Sequence, residues 1–395
     1  MKVLIVAEYY PRAADPVLGV WAHRQAVAAR AAGAEVRVLV LHRPIPPLGA
    51  LQARRLRVAT APLRQPPSTN LDGIAVEYVR YLSPPRPVSY GSWGAWAAPA
   101  LAQALRRVRR SFPFELIHAH YAVPAGDAVR RVSRRVPIVV SVHGHDVQGP
   151  RAGGRAVRAA LRRADLVLAN SAGTAARCDA LGARSTRVVH LGTDVPAQPP
   201  ARPLRPVLVS VAHLAARKRH ADVISALALL RGRHPGLRYV IVGDGPERAR
   251  LSALAHSLLV DDLVEFRGQL DPARALAAAW GSSLFVLPSV EEAFGVAYIE
   301  AMAGAVPAIG CRGEDGPEEI AASGGGIVLV PPRDPAALAL QIESLLRNPA
   351  QLEALGAEAR RTIEREFTWT KCGQETVEAY ADAMASRSSR QTVEA

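Results

Sequence analysis

Leu284-Phe285-Val286-Leu287-Pro288-Ser289-Val290-Glu291-Glu292-Ala293-Phe294-Gly295-Val296-Ala297-Tyr298-Ile299-Glu300 passes from a short apolar run, through a proline-marked loop, into a helical pattern. Four consecutive apolar residues bounded by turn signals read as a strand buried on both faces, and the helix opens at Gly295. A doubly buried strand feeding straight into a helix is the repeating unit of a parallel sheet, so this stretch sets the fold class. It also carries two carboxylates with seven residues between them, Glu292 in the mouth of the loop and Glu300 within the helix, near its positive end. Amides at a helix start hold anionic oxygens, Gly295 lets a ligand approach the backbone, and a carboxylate takes both hydroxyls of a vicinal diol. Sugars and riboses are vicinal diols. Glutamates also populate solvated helix faces, and the spacing alone leaves that reading open.

The same alternation runs outward in both directions. Strands are expected at 2–7, 35–41, 74–81, 115–118, 137–142, 166–169 and 187–190, with helices at 20–32, 97–110, 124–135 and 154–163 between them. Residues 195–206 then hold Pro196, Pro199, Pro200, Pro203 and Pro206, which deny the chain both helix and central strand and mark a linker. The pattern restarts with strands at 207–212, 238–242, 264–267, 284–287, 305–309 and 327–330, helices at 221–231, 247–256 and 272–280, and closing helices over 335–385. The reading is α/β: two doubly wound, Rossmann-like domains at 1–195 and 207–367, facing a central cleft. A linker spans 196–206, a helix at 368–385 is expected to pack back toward the N-terminal domain, and 386–395 is expected to be disordered. A chain of 395 residues exceeds what one core usually fills.

Composition narrows the class. No apolar stretch approaches the length of a membrane span and the apolar start is too short for a signal peptide, so the protein is expected in the cytoplasm. Cys178, Cys311 and Cys372 are too far apart for a zinc site or a disulfide framework and read as reduced thiols. The net charge of +14 is unevenly spread: residues 1–200 hold 28 Lys and Arg against 11 Asp and Glu, while 201–395 hold 21 against 24. The positive residues cluster at Arg54, Arg55 and Arg57, at Arg106, Arg107, Arg109 and Arg110, at Arg130, Arg131, Arg134 and Arg135, and at Arg151, Arg155, Arg158, Arg162 and Arg163. Such a field favours an anionic partner: nucleic acid, an acidic membrane surface or a phosphorylated substrate. Without interleaved aromatics it argues against a single-stranded nucleic-acid platform, and no nucleic acid partner is expected.

Ligands of doubly wound sheets bind beyond the carboxyl ends of the strands. No G-x-G-x-x-G follows the first strand, so a nicotinamide or flavin dinucleotide is not expected. Gly19 stands before a helix where amides approach an anion, and His143-Gly144-His145-Asp146 follows a strand, placing His143 to meet a phosphate or a sugar hydroxyl. Of His118 and His120, one is expected to be structural. In the second half His213, Arg217, Lys218 and Arg219 follow the 207–212 strand, where Lys218 is a point charge suited to a diphosphate. Gly243-Asp244-Gly245 reads as a tight structural turn, and Arg267-Gly268 ends a strand at the level of a nucleotide base. No Asp-x-Asp stands where a metal would bridge a diphosphate, so neither metal nor cofactor is expected beyond a nucleotide-sugar co-substrate.

Taken together, these loops resemble the retaining, nucleotide-sugar-dependent glycosyltransferases of family 4, with GT-B architecture. The resemblance covers nearly the whole chain, to Phe367-Thr368-Trp369, and is most specific at Glu292–Pro307, similar to the family's Glu-x7-Glu element and Ala-Met-Ala tract. It implies that Lys218, with Arg217 or His213, binds the donor diphosphate near Gly19 and the amides at Phe294, Gly295 and Val296. It also implies that Glu300 holds the ribose, that Arg267 and Gly268 lie near the base, and that Glu292 and His143 contact the transferred sugar. The chain departs from the family at Ala212-His213-Leu214, where Gly-Arg-Leu is usual, in having only Gly19 in the first loop, and at Ala305, where glycine is usual.

The implied reaction moves a sugar, with retention, onto a glycan or polyprenyl-linked acceptor in cell-surface polysaccharide or glycolipid synthesis, peripherally on the inner membrane face. A non-hydrolysing nucleotide-sugar epimerase and a basic nucleic-acid-binding protein are the competing readings. Neither explains the second-half motifs.

Overall fold

Uninterrupted Val, Ile and Leu runs become strands with both faces covered. In the computed structural model, which describes residues 1–46, 56, 60–148 and 152–394, the first eight are β1 (Lys2–Ala7), β2 (Glu35–His42), β3 (Ser68–Leu71), β4 (Ile74–Arg80), β5 (Leu116–His120), β6 (Ile138–Val142), β7 (Leu166–Ala169) and β8 (Thr186–Val188). They form one sheet in the order β3-β4-β2-β1-β5-β6-β7-β8, parallel except for the β3–β4 hairpin. The hairpin was not legible in the polar run Ser68–Leu71, but its turn was: Asp72 and Gly73 both have positive φ, 47° and 76°, and Asp-Gly is a favoured pair for a two-residue turn.

The chain divides into two units, Met1–Leu191 with Trp369–Ala395, and Gly192–Thr368. The helix Trp369–Glu394 belongs to the first. It lies on the helix Val20–Ala31, where Gln25 donates to Thr376 Oγ1 at 3.0 Å and Gly373 admits the Ala28 carbonyl so closely that a Cβ would come within 2.3 Å of it. Tyr380, further along, reaches His118 Nδ1 at 2.8 Å. The expected disordered tail is instead a continuation of this helix to Glu394, since neither proline nor glycine follows Gly373 to stop it.

The second unit has six parallel strands: β9 (Val207–Val211), β10 (Arg238–Val242), β11 (Val264–Gly268), β12 (Leu284–Val286), β13 (Ala308–Cys311) and β14 (Ile327–Val330), in the order β11-β10-β9-β12-β13-β14. This is the Rossmann order, and the winding reverses between β9 and β12. The proline-rich residues cluster with this unit. Arg202 donates to the carbonyls of Ser283 at 3.1 Å and Ala305 at 2.8 Å, and Arg360 donates to that of Pro196 at 2.8 Å.

Among the described residues, two helices of nine residues each escaped the sequence reading. Ala172–Ala180 is short and rich in alanine, although Ser171 caps it by accepting from the Thr174 amide at 3.1 Å. Asp315–Ser323 carries Gly316 and Pro317 in its first turn, which reads as loop. Among the described residues no helix is long and apolar enough to cross a membrane, and all three cysteines are buried and free. Of the basic clusters, Arg54, Arg55, Arg57 and Arg151 lie outside the described residues. Arg130 and Arg131 do not form an open field: both turn onto the buried carboxylate of Asp127, at 2.7 and 2.9 Å.

Ala305 adopts φ 61°, in the left-handed region where an L side chain costs about 1–2 kcal/mol and glycine costs little. Glycine gives back part of that gain through the freer unfolded chain. Ala305→Gly is therefore expected to stabilise the second unit by about 0.5–1 kcal/mol, read as a rise of a few degrees in the midpoint of thermal unfolding.

Candidate functional site

At the winding reversal the loops leaving β9 and β12 open side by side. The β9 loop ends in a single tight turn, Ala216–Lys218, and is tied to the β12 loop where the Val290 amide donates to the Arg217 carbonyl at 2.9 Å. Two glycines support it from β10. A Cβ at Gly243 would come within 2.0 Å of the Ala212 carbonyl oxygen, and one at Gly245 within 2.5 Å of that of Leu214, so this turn is structural, as its sequence suggested.

Glu292 is buried at the centre of this arrangement. Its Oε2 is hydrogen-bonded by Lys218 Nζ and by Ser289 Oγ at 2.9 Å, and Arg217 Nη1 lies 3.9 Å away. Burial alone would raise this carboxyl's pKa; the Lys218 charge and hydrogen bond, with Arg217 and Ser289, outweigh it and hold the group below the ordinary carboxylate value. The backbone here is pinned as well: the Glu292 amide donates to Glu314 Oε2 at 2.8 Å and its carbonyl accepts from Gly316 N at 3.2 Å. Gly295, at φ 85°, then turns the chain into the helix Val296–Ala303, and a Cβ there would sit 2.5 Å from the Tyr298 ring. Phe294 is buried against Phe367, ring centres 5.7 Å apart.

Glu300 lies on the same helix, half-buried, with its carboxyl pushed up to about 7 by burial and secondarily by Asp194. Trp280 Nε1 holds the Glu300 carbonyl at 2.7 Å. His213 is exposed, and Leu214 rather than His213 enters the core. Arg219 does not join Lys218: its guanidinium makes a two-point pair with Asp222, at 2.9 and 2.6 Å. This leaves Arg217 as the neighbouring cation nearest Glu292. Gly268 has φ 69° with open space where a Cβ would be, while Arg267 turns back along its strand onto Glu265 at 2.9 Å.

In the first unit the corresponding reversal lies between β1 and β5. Gly19, at φ 65°, packs on the backbone of Tyr9, where a Cβ would come within 2.2 Å of the carbonyl carbon. His143, one residue past β6, stacks on His120 with ring centres 5.4 Å apart and Nε2 3.1 Å from His120 Nδ1; its own Nδ1 has no partner among the described residues. Burial and then the His145 charge lower its pKa to about 4, so the ring is neutral at pH 7. His118 is the structural member of its pair, with both nitrogens taken by Ser141 Oγ at 2.7 Å and Tyr380 OH at 2.8 Å. Asp146 accepts from the Ala122 amide at 2.8 Å and is pushed by burial up to about 7.

Sequence reasoning missed Asp194, Ser289 and Glu314, and a further group around Glu8. Glu8 directly follows β1, is buried, and receives the Tyr90 hydroxyl at 3.0 Å. That hydroxyl also faces the Val123 carbonyl at 2.9 Å and has one proton for two acceptors. Both contacts are complete when Glu8 is protonated, the form that burial favours. Only its place at a strand's carboxyl end could have marked Glu8.

Removing Lys218 leaves the buried Glu292 carboxylate without its hydrogen-bonded cation and with only Arg217, at 3.9 Å, as counter-charge. Lys218→Met is expected to cost about 3 kcal/mol or more in urea melts, with most of it recovered by adding Glu292→Gln. The folded Glu300 carboxyl keeps its proton up to about 7, whereas the unfolded one loses it near 4.5, so the folded state holds the extra proton between those values and loses stability as pH rises through them. Glu300→Gln is therefore expected to match the wild type in thermal melts at pH 4 and to gain on it progressively up to pH 7.5.

Comparison with known proteins identifies the family. The family model "Glycosyl transferases group 1" matches residues 194–362 and "Glycosyl transferase 4-like domain" matches 18–192. Glycogen synthase of Mycobacterium tuberculosis is 28% identical over 97% of this chain and 95% of its own length. A GDP-mannose-dependent alpha-(1-6)-phosphatidylinositol monomannoside mannosyltransferase of Mycolicibacterium smegmatis is 29% identical over 71% of this chain and 80% of its own. The solved sucrose-phosphate synthase of Thermosynechococcus elongatus superposes with a TM-score of 0.78 over 98% of this chain and 100% of its own at 20% identity, a likeness of fold. The matched segments run almost without a break from residue 18 to residue 362, and the chain belongs to the group 1 glycosyltransferases, enzymes that transfer a sugar from a nucleotide-sugar donor.

Proposed function

We propose that the chain transfers a sugar with retention at the anomeric carbon, without a divalent ion, to a hydroxyl of a glycan or lipid-linked acceptor in cell-surface polysaccharide or glycolipid synthesis. The observation that carries this reading is the Lys218–Glu292 pair, flanked by Arg217, beside the helix start at Gly295. Lys218 and Arg217, with exposed His213 alongside, would neutralise the donor diphosphate, and the amides at Phe294, Gly295 and Val296 would take its remaining oxygens. Such a cationic set supplies the charge that a metal supplies elsewhere. Glu300 would accept the ribose hydroxyls, and the open face at Gly268, beside Arg267, would receive the base.

Retention through a glycosyl-enzyme needs a free carboxylate as nucleophile. Glu292 is committed to Lys218 and Ser289, which favours a same-face route in which the departing phosphate takes the acceptor hydroxyl's proton. Glu292 then holds sugar hydroxyls, and neutral His143 contacts the transferred sugar. The Arg-rich first 200 residues and the phosphatidylinositol-derived acceptor of the mycolicibacterial relative support an anionic acceptor at the inner membrane face.

A panel of UDP, GDP and ADP sugars in thermal-shift measurements identifies the donor, and transfer with that donor is expected to persist in EDTA. Glu300→Ala is expected to weaken donor binding by about tenfold or more. Unchanged donor affinity and turnover in that variant would overturn the role assigned to Glu300, and a product of inverted configuration would overturn retention.

A further inference from the structure

No residue of the group around Glu8 is among those proposed to hold the donor, yet the group collects more polar chemistry than a core needs. The Tyr90 hydroxyl donates to this buried carboxyl at 3.0 Å, and the charges of Arg86, Arg12 and Arg43 oppose the upward pull of burial on its pKa. Arg12 Nη2 donates to the Glu8 carbonyl at 2.9 Å, and Arg43 donates to the Ser83 carbonyl at 3.1 Å while lying over the Trp93 ring at 5.0 Å. Arg86 is the exposed member. It opens the short helix Arg86–Ser89, donates to the Tyr9 hydroxyl, and lies over the rings of Tyr90, Tyr9 and Trp93, 4.3, 5.5 and 5.7 Å from their centres. Aromatic faces on this scale hold a guanidinium flat and leave its remaining N–H groups for a planar or tetrahedral oxyanion.

A second observation is independent of these charges. Tyr81 is 5% exposed, and neither its hydroxyl nor Arg12 Nε has a hydrogen-bond partner among the described residues. The Tyr81 ring meets that of Trp93, with centres 6.3 Å apart, and Trp93 is the ring over which Arg43 and Arg86 lie. Buried polar groups are rarely left unmet, because each costs about 1–3 kcal/mol. Two orphaned donors beside a stacked, exposed arginine describe a lining that lacks an acceptor-rich partner.

We infer that Glu8, just past β1, and Tyr81 and Arg86, in the segment that follows β4, form the recognition site for the acceptor substrate, and that this acceptor carries a phosphate beside its hydroxyls. Arg86 takes the phosphate oxygens, with Arg12 and Arg43 adding charge behind it. Glu8 accepts a hydroxyl of the polyol or sugar that bears the phosphate. The assignment rests on the glycosyl-transfer reading above and adds the acceptor's chemical class. A soluble sugar phosphate and a phosphoinositide headgroup share this chemistry.

The test uses the full chain. Glucose 1-phosphate, inorganic phosphate and neutral glucose are titrated by calorimetry, and phosphatidylinositol in phosphatidylcholine vesicles is tested by co-sedimentation. Either the sugar phosphate or the phosphatidylinositol vesicles are expected to bind, which identifies the source, and neutral glucose is not. Arg86→Gln, an exposed substitution, is expected to weaken that binding by about tenfold or more, whereas Glu8→Gln removes the preference for glucose 1-phosphate over inorganic phosphate. Binding unchanged in Arg86→Gln, or no binding by either phosphate probe, overturns the site. Nucleotide binding by the same preparations, which depends on Lys218, reports separately: if UDP, GDP and ADP all fail to bind, the donor reading falls whatever Arg86 does.

Discussion

The second unit depends on one buried ion pair. Lys218 and Glu292 come from loops on neighbouring strands, and neither charge tolerates its burial without the other. The pair also anchors backbone. Glu292 is held through its amide by Glu314 and through its carbonyl by Gly316, and the positive φ values at Glu291 and Gly295, 56° and 85°, on either side shape a loop that presents amides at a helix start. In the absence of a ligand the lysine and the carboxylate satisfy each other. A diphosphate and a sugar would have to replace that contact with better ones, which links donor recognition to an electrostatic exchange rather than to an empty pocket.

The first unit solves the opposite problem, with polar groups kept neutral. Burial lowers His118, His120 and His143, which leaves their rings neutral at pH 7, and it raises the Asp146 and Glu8 carboxyls. Arg86 is the exposed cation of this edge, held by aromatic faces. The two units thus present different chemistry on the same doubly wound frame, charged pairing in one and neutral hydrogen bonding with stacked arginine in the other.

Legibility followed the strength of the local pattern. The strands of both sheets were readable because doubly buried strands are continuous apolar runs, as in Val207–Val211 and Leu284–Val286. The polar edge strand Ser68–Leu71 and the glycine- and proline-bearing helix Asp315–Ser323 were not, because tertiary neighbours rather than local propensity hold them. The proline-rich stretch read only as a linker, yet Arg202 fastens it to Ser283 and Ala305, which lie 81 and 103 positions away. Arg219 shows the same limit in the site: next to Lys218 in sequence, it is drawn away by Asp222 once the helix His220–Leu230 forms.

The sequence by itself determined the fold class and the two-part organisation, since strand periodicity and glycine placement are local properties. It also singled out Lys218, Glu292, Glu300 and His143 as candidates. Only the tertiary structure decided which charges meet. Lys218 and Glu292 are joined across 74 positions because β9 and β12 are neighbours at the reversal of winding, and Glu8 acquires Arg86 and Tyr90 from about eighty residues away. A charge's partner, and therefore its protonation state and its use, depends on sheet order, and sheet order is not written in any local stretch of chain.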